Sequence, residues 1–158
     1  MKTLLLFTDI SVNRETKIGY GAYLFLDNLC ATSDLSEKIR LKKFKNTSST
    51  KLELQTLLWA FQETEKYKGK FIIHTDSQNI IGLKDRRQRL EENNYLTKRN
   101  IPIKNYELYK EFFFMLDQID AEFVKVTGHK SNKTKTNMDR IFSLVDKASR
   151  KALRGFIR

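Results

Sequence analysis

Three carboxylates in this chain stand where residue type and spacing allow chemistry. Asp9 follows the apolar run Leu4-Leu5-Leu6-Phe7, and Asp76 follows Phe71-Ile72-Ile73. Glu53 opens a segment in which Leu54, Leu57, Leu58 and Phe61 recur at helical spacing. Side chains at the ends of buried strands leave the core but stay on rigid backbone. Acids on three such elements can meet at one point. Unpaired, they repel: two charges about 4 Å apart cost about 4 kcal/mol at an effective dielectric of about 20. A hard divalent cation removes that cost, and Mg²⁺ takes oxygen ligands. Each acid also has a local use. Asp9 can start a turn, and Asp76 can cap the helix after its strand. Glu53 completes a capping box in Thr50-Lys51-Leu52-Glu53.

The partner of such a site is suggested by charge. Lysine and arginine number 30 against 19 acids, a formal net charge of +11. An excess of that size usually has a polyanionic partner, nucleic acid first and an anionic membrane surface second. The densest basic segment holds Lys84, Arg86, Arg87, Arg89, Lys98, Arg99 and Lys104, with Tyr95 and Tyr106 interleaved. A solvated charged helix has the same composition. The single cysteine, Cys30, excludes an internal disulfide and a cysteine-rich zinc site. Leu4 to Phe7 is too short for a signal peptide's apolar region, and no stretch approaches a membrane span. A cytoplasmic protein that makes no use of a membrane is the expectation.

The elements that must position these residues follow from the apolar pattern. Strands are expected at Leu4–Phe7, Gly19–Leu26, Ile39–Phe44, Phe71–Ile73 and Ala121–Val126. Helical spacing marks Leu54–Phe61, a short helix around Ile80–Leu83, Tyr106–Leu116 and Ile141–Ala152. Early hairpins followed by alternating helices and strands imply an α/β fold, a mixed sheet with helices on its faces. No repeat or linker divides residues 1–158, so one domain is expected.

In their order along the chain these segments resemble type I ribonuclease H. Thr8-Asp9, followed by Gly19-Tyr20-Gly21-Ala22-Tyr23-Leu24, is similar to that family's first hairpin. Ser49-Thr50-Lys51-Leu52-Glu53-Leu54 resembles the segment where a glutamate opens its first helix. Ile73-His74-Thr75-Asp76-Ser77-Gln78 is the closest match. Ile103 to Tyr109 resembles the passage out of the family's basic protrusion, and Val124 to His129 its last strand and histidine loop. Val145 to Ala152 resembles its final helix. The resemblance implies a ribonuclease H-like fold: a five-stranded mixed sheet, its first three strands antiparallel, flanked by helices on both faces. The chain departs from the family at Ile10, where glycine is usual, and at Ser49-Thr50, where an asparagine pair is usual.

The resemblance also implies a mechanism. Asp9, Glu53, Asp76 and a fourth acid would hold two Mg²⁺ ions, with Mn²⁺ as a substitute, for hydrolysis of the RNA strand of an RNA·DNA hybrid. One ion would activate water and the other stabilise the leaving 3′ oxygen, giving 5′-phosphate and 3′-hydroxyl ends. Asp146 is preferred as the fourth acid, with Asp139 as the alternative. Seven residues of helix separate them by about 10 Å, too far for both to bind paired metals about 4 Å apart. His129 would assist proton transfer or product release, while His74 is read as structural. Ser11, Ser49, Thr50 and Gln78 are placed to meet the 2′-hydroxyl that marks RNA. Lys104 and Asn105, with the basic segment, would meet the DNA backbone without reading sequence. No obligate protein partner is implied, and a monomer is expected. The alternatives are another ribonuclease H-like nuclease (resolvase, exonuclease or transposase-like) and a non-catalytic hybrid-binding module.

Overall fold

The structure is a computed structural model that describes residues 2–27, 34–127 and 136–157, the side chains of 156 and 157 excepted. Its order is β1 (Thr3–Asn13), β2 (Ile18–Leu26), α1 (Leu35–Lys38), β3 (Arg40–Phe44), α2 (Ser49–Thr64), β4 (Lys70–Thr75), α3 (Gln78–Glu92), α4 (Tyr106–Gln118), β5 (Asp120–Lys125) and α5 (Asn137–Ile157). The strands form one sheet in the order β3-β2-β1-β4-β5. β1 to β3 pair antiparallel, and β4 and β5 join in parallel. The expected mixed sheet is therefore observed.

Side chains alternate across a strand, and here the alternation sorts two apolar layers. Leu4, Leu6, Phe71 and Ile73 pack with Leu54, Leu57 and Phe61 of α2 and Phe112 and Phe113 of α4. Leu5, Phe7, Ala22 and Leu24 pack on the opposite face with Ile141, Phe142 and Val145 of α5. Both faces are thus covered, which explains why β1 and β4 read as continuous apolar runs rather than alternating ones. Helix α2 approaches β2 closely because Gly19 and Gly21 lack side chains. A Cβ on Gly21 would collide with Thr56 Oγ1, and one on Gly19 would lie 2.5 Å from Leu52 Cδ2.

Three elements differ from expectation. The four-residue α1 is too short to show periodicity. Helix α3 runs 15 residues to Glu92, well past the short helix expected, because charged residues cover its outer turns. β1 continues beyond Asp9 to Asn13, six residues past the expected end of the strand at Phe7. Among the described residues, no helix is long and apolar enough to cross a membrane.

Candidate active site

The parallel register of β1 with β4 ends at Phe7↔His74, whose rings stack with centroids 4.5 Å apart. Asp9 and Asp76 each lie two residues beyond that pair. β4 stops at Thr75, whereas β1 runs on, paired only with β2 from Ile10↔Gly21 to Asn13↔Ile18. The sheet splits here, and the two aspartates flank the split. The apolar run of β1 ends because its neighbour and cover end, not because the strand does. Asp9 is consequently buried within a strand rather than placed in a turn.

The remaining acids come from helices on opposite faces. Asp146 on α5 lies near enough to Asp9 to raise its pKa, and its Oδ2 accepts from Arg150 Nη2 at 2.6 Å. Ser149, fully buried, donates from Oγ to the Asp146 carbonyl at 3.0 Å. The same Oγ lies 3.4 Å from Ser11 Oγ on β1. This chain of hydroxyls fixes α5 against the strand that carries Asp9. Ser11, expected at the substrate, thus has a partner inside the protein. Asp139 is used differently: its Oδ2 accepts from Thr136 N at 3.0 Å, and its own N–H donates to Thr136 Oγ1 at 3.2 Å. That reciprocal pair caps α5. The structure brings Asp146, not Asp139, to Asp9.

Glu53 enters from α2. The cap of α2 is Ser48, whose hydroxyl accepts from Lys51 N at 3.4 Å, so the Thr50–Glu53 capping box does not form. Glu53 Oε2 instead accepts a short hydrogen bond from Ser77 Oγ. Ser77 also caps α3, accepting from Ile80 N at 3.1 Å, and its N–H donates to Thr75 Oγ1 at 3.1 Å. Ser77 therefore does the capping open to Asp76 and leaves that carboxylate free of the cap. Sequence reading assigned no role to Ser77 or Ser149. The only signal was a hydroxyl next to an acid for Ser77 and one three residues past an acid for Ser149.

The electrostatics follow from this crowding. Burial first, then the charge of Asp76 and the hydrogen bond from Asp146, push the Asp9 carboxyl up to about 9. Burial also raises Glu53; the Ser77 hydrogen bond opposes that shift and the Asp76 charge adds to it. Asp76 is raised by desolvation and by Asp146, against the lowering influence of its own N–H and of Lys125. Its side chain is exposed by surface area, yet its carboxyl lies among neighbouring atoms, and that crowding governs the shift. Among the described residues, no three acidic, histidine or cysteine side chains stand as a ready cage for one ion. As they lie, Glu53 turns to Ser77 and Asp146 to Arg150.

Around the acids, Ser49 and Gln78 are exposed, at the first turns of α2 and α3, and Thr50 is half-buried. Asn105 precedes α4 at φ 65°, and its side chain makes no capping bond. Lys104 is exposed beside it. The basic segment divides in two. Arg86 bonds Asn79, and Arg87 grips Asp117 and Glu91, so both bind the protein itself. Tyr95 is buried in the core. Lys98 and Arg99 lie on an exposed loop closed by Thr97 N→Ile101 O at 2.8 Å and Ile103 N→Tyr95 O at 2.8 Å. His129 lies outside the described residues. His74 is buried against Phe7, and burial lowers its pKa.

A sheet of this order, carrying acids where β1 and β4 part, defines a ribonuclease H-like protein. Within that class the chain belongs to the RNase H family, whose model matches residues 1–151. It is by that membership a nuclease, a hydrolase. Ribonuclease H of Clostridium botulinum (strain Hall) is 26% identical over 148 residues, covering 89% of this chain and 93% of the relative. A foamy viral protease-reverse transcriptase solved with dsDNA matches at TM-score 0.63 and 10% identity, over 94% of this chain and 93% of that one. The same viral protein solved with an RNA/DNA hybrid matches at TM-score 0.70 and 11% identity, over 95% of this chain and 19% of that one. At such identities these likenesses speak for the fold alone.

Proposed function

We propose that this chain hydrolyses the RNA strand of RNA·DNA hybrids, using two divalent cations held by Asp9, Glu53, Asp76 and Asp146. One observation carries the reading: Asp9, Asp76 and Asp146 lie within reach of one another's charge at the split of the sheet. The donor set fits Mg²⁺, because every candidate ligand is a carboxylate oxygen. A buried acid holding its proton to about pH 9 is also a site that gains from a cation, since metal binding displaces that proton. When bound, such ions supply Lewis acidity to water and to the leaving oxygen.

The chain's own residues do the rest. Ser49, Thr50 and Gln78 meet the minor groove, where the 2′-hydroxyl separates RNA from DNA. Lys104 and Asn105 hold the DNA backbone and carry no sequence information. His129 moves the proton of the departing 3′ oxygen. Water oxygen joins phosphorus as the P–O3′ bond breaks, leaving 5′-phosphate and 3′-hydroxyl ends.

The test is cleavage of labelled hybrid, DNA duplex and RNA duplex with and without Mg²⁺. Only the RNA of the hybrid should be cut, and only with metal. Asp76→Asn should lose more than about 100-fold of that activity while hybrid affinity stays within about 3-fold. Undiminished cutting by Asp76→Asn, or equal cutting of the DNA duplex, would refute the assignment.

A further inference from the structure

We propose that Lys125 is a positioning residue that holds the Gln78 carboxamide with its oxygen turned inward, so that Gln78 meets nucleic acid only as a hydrogen-bond donor. The proposal rests on the reading that Gln78 touches the hybrid. Lys125 is the last residue of β5 and pairs in register with Thr75, one residue before Asp76. That register carries its side chain across the end of β4 to the first turn of α3. There its Nζ donates to Gln78 Oε1 at 2.5 Å.

An ammonium has three donors and no acceptor, so only the carboxamide oxygen can face it. The orientation of the amide is thereby set by chemistry. The Nε2 group keeps two N–H donors, and among the described residues no protein acceptor takes them. Both Gln78 and Lys125 are exposed, so the pair stands at the surface of the protein. A free glutamine would present oxygen or nitrogen with equal ease.

A donor-only amide selects its partners. The minor groove offers purine N3 and pyrimidine O2 as acceptors, and the 2′-hydroxyl accepts as well as donates. The guanine 2-amino group is the one minor-groove base donor, and it opposes such an amide. Lys125 therefore favours ribose and acceptor edges over guanine at the contacted step.

A double-mutant cycle on hybrid affinity tests this without relying on turnover. Wild type, Lys125→Met, Lys125→Arg, Gln78→Ala and the Lys125→Met/Gln78→Ala pair are compared at about 0.3 M salt, where general charge attraction is screened. Lys125→Met and Gln78→Ala should each weaken binding about 3- to 10-fold, and the pair no more than either alone. Lys125→Arg should recover most of the loss. Replacing guanine by inosine in the hybrid should improve relative binding by wild type and not by Lys125→Met. Additive losses, or no loss in Lys125→Met, would overturn the proposal. In those cases wild type still binds and cuts hybrid; if it does neither, the functional reading itself has failed.

Discussion

A carboxyl that keeps its proton to about pH 9 in the fold, as Asp9 does, ties stability to pH. Unfolded, the same group releases its proton near 4. Between those values the folded state holds the extra proton, so metal-free stability falls as pH rises. The contribution is fully present below about pH 4 and is lost as pH climbs through about 9. Asp9→Asn removes that dependence. Its metal-free melting temperature should exceed wild type by several °C at about pH 8 and match it near pH 4. Mg²⁺ should narrow the gap by stabilising wild type. An unchanged melting temperature at both pH values would count against the burial of this charge. A second residue-scale prediction separates the two acids of α5. Asp146→Asn should lower cleavage more than about 10-fold. Asp139→Asn, which disturbs the pair with Thr136, should stay within about 3-fold and cost a little stability. The reverse order in cleavage assays would move the fourth ligand to Asp139.

At the scale of elements, the close seat of α2 on β2 is the most exacting contact. Gly21→Ala would drive a methyl into Thr56 Oγ1. Such overpacking costs about 1–3 kcal/mol and should lower the melting temperature by roughly 2–4 °C for each kcal/mol. Adding Thr56→Ala, which removes Oγ1 and Cγ2 but leaves Cβ in place, should return part of the loss. No recovery would mean that the strain lies elsewhere. The strands and helices themselves were readable because burial on both faces leaves unbroken apolar runs. What escaped were the joints. Ser48 rather than Thr50 caps α2, and Ser77 rather than Asp76 caps α3, since several capping residues stand in a row and spacing does not choose between them. The course of β1 past Asp9 escaped because an overhanging strand loses the burial that marks a strand. Of the candidate site, Asp9 and Asp76 stood out by their place after apolar runs, Glu53 by its place at the head of a helix, and Asp146 only through the family resemblance. The hydroxyls Ser77 and Ser149 that orient them did not stand out, since their roles appear only when distant segments meet.

Over the whole molecule, a net charge of +11 must be divided between cations that serve the fold and cations that serve the partner. Arg86 and Arg87 belong to the first group. Lys98, Arg99 and Lys104, exposed on and beside the loop before α4, are assigned to the second by the proposed function. Every phosphate that a protein ceases to neutralise lowers the salt slope of binding by about 0.7–0.9. Replacing all three by glutamine should therefore flatten the plot of log affinity against log salt by about 2 to 3 and weaken every hybrid sequence alike. A slope equal to wild type would remove this loop from the interface. Arg87→Gln should behave in the opposite way, lowering melting temperature with little change in slope.

The meeting of Asp9 with Asp146 also sets a clock. One lies on the first strand and the other on the last helix, so most of the chain is synthesised between them. A nascent polypeptide whose residues 137–157 are still inside the ribosome can pair its strands, yet it lacks Asp146, one of the four proposed ligands. On the proposed reading, translation must therefore finish this helix before the protein can cut a hybrid.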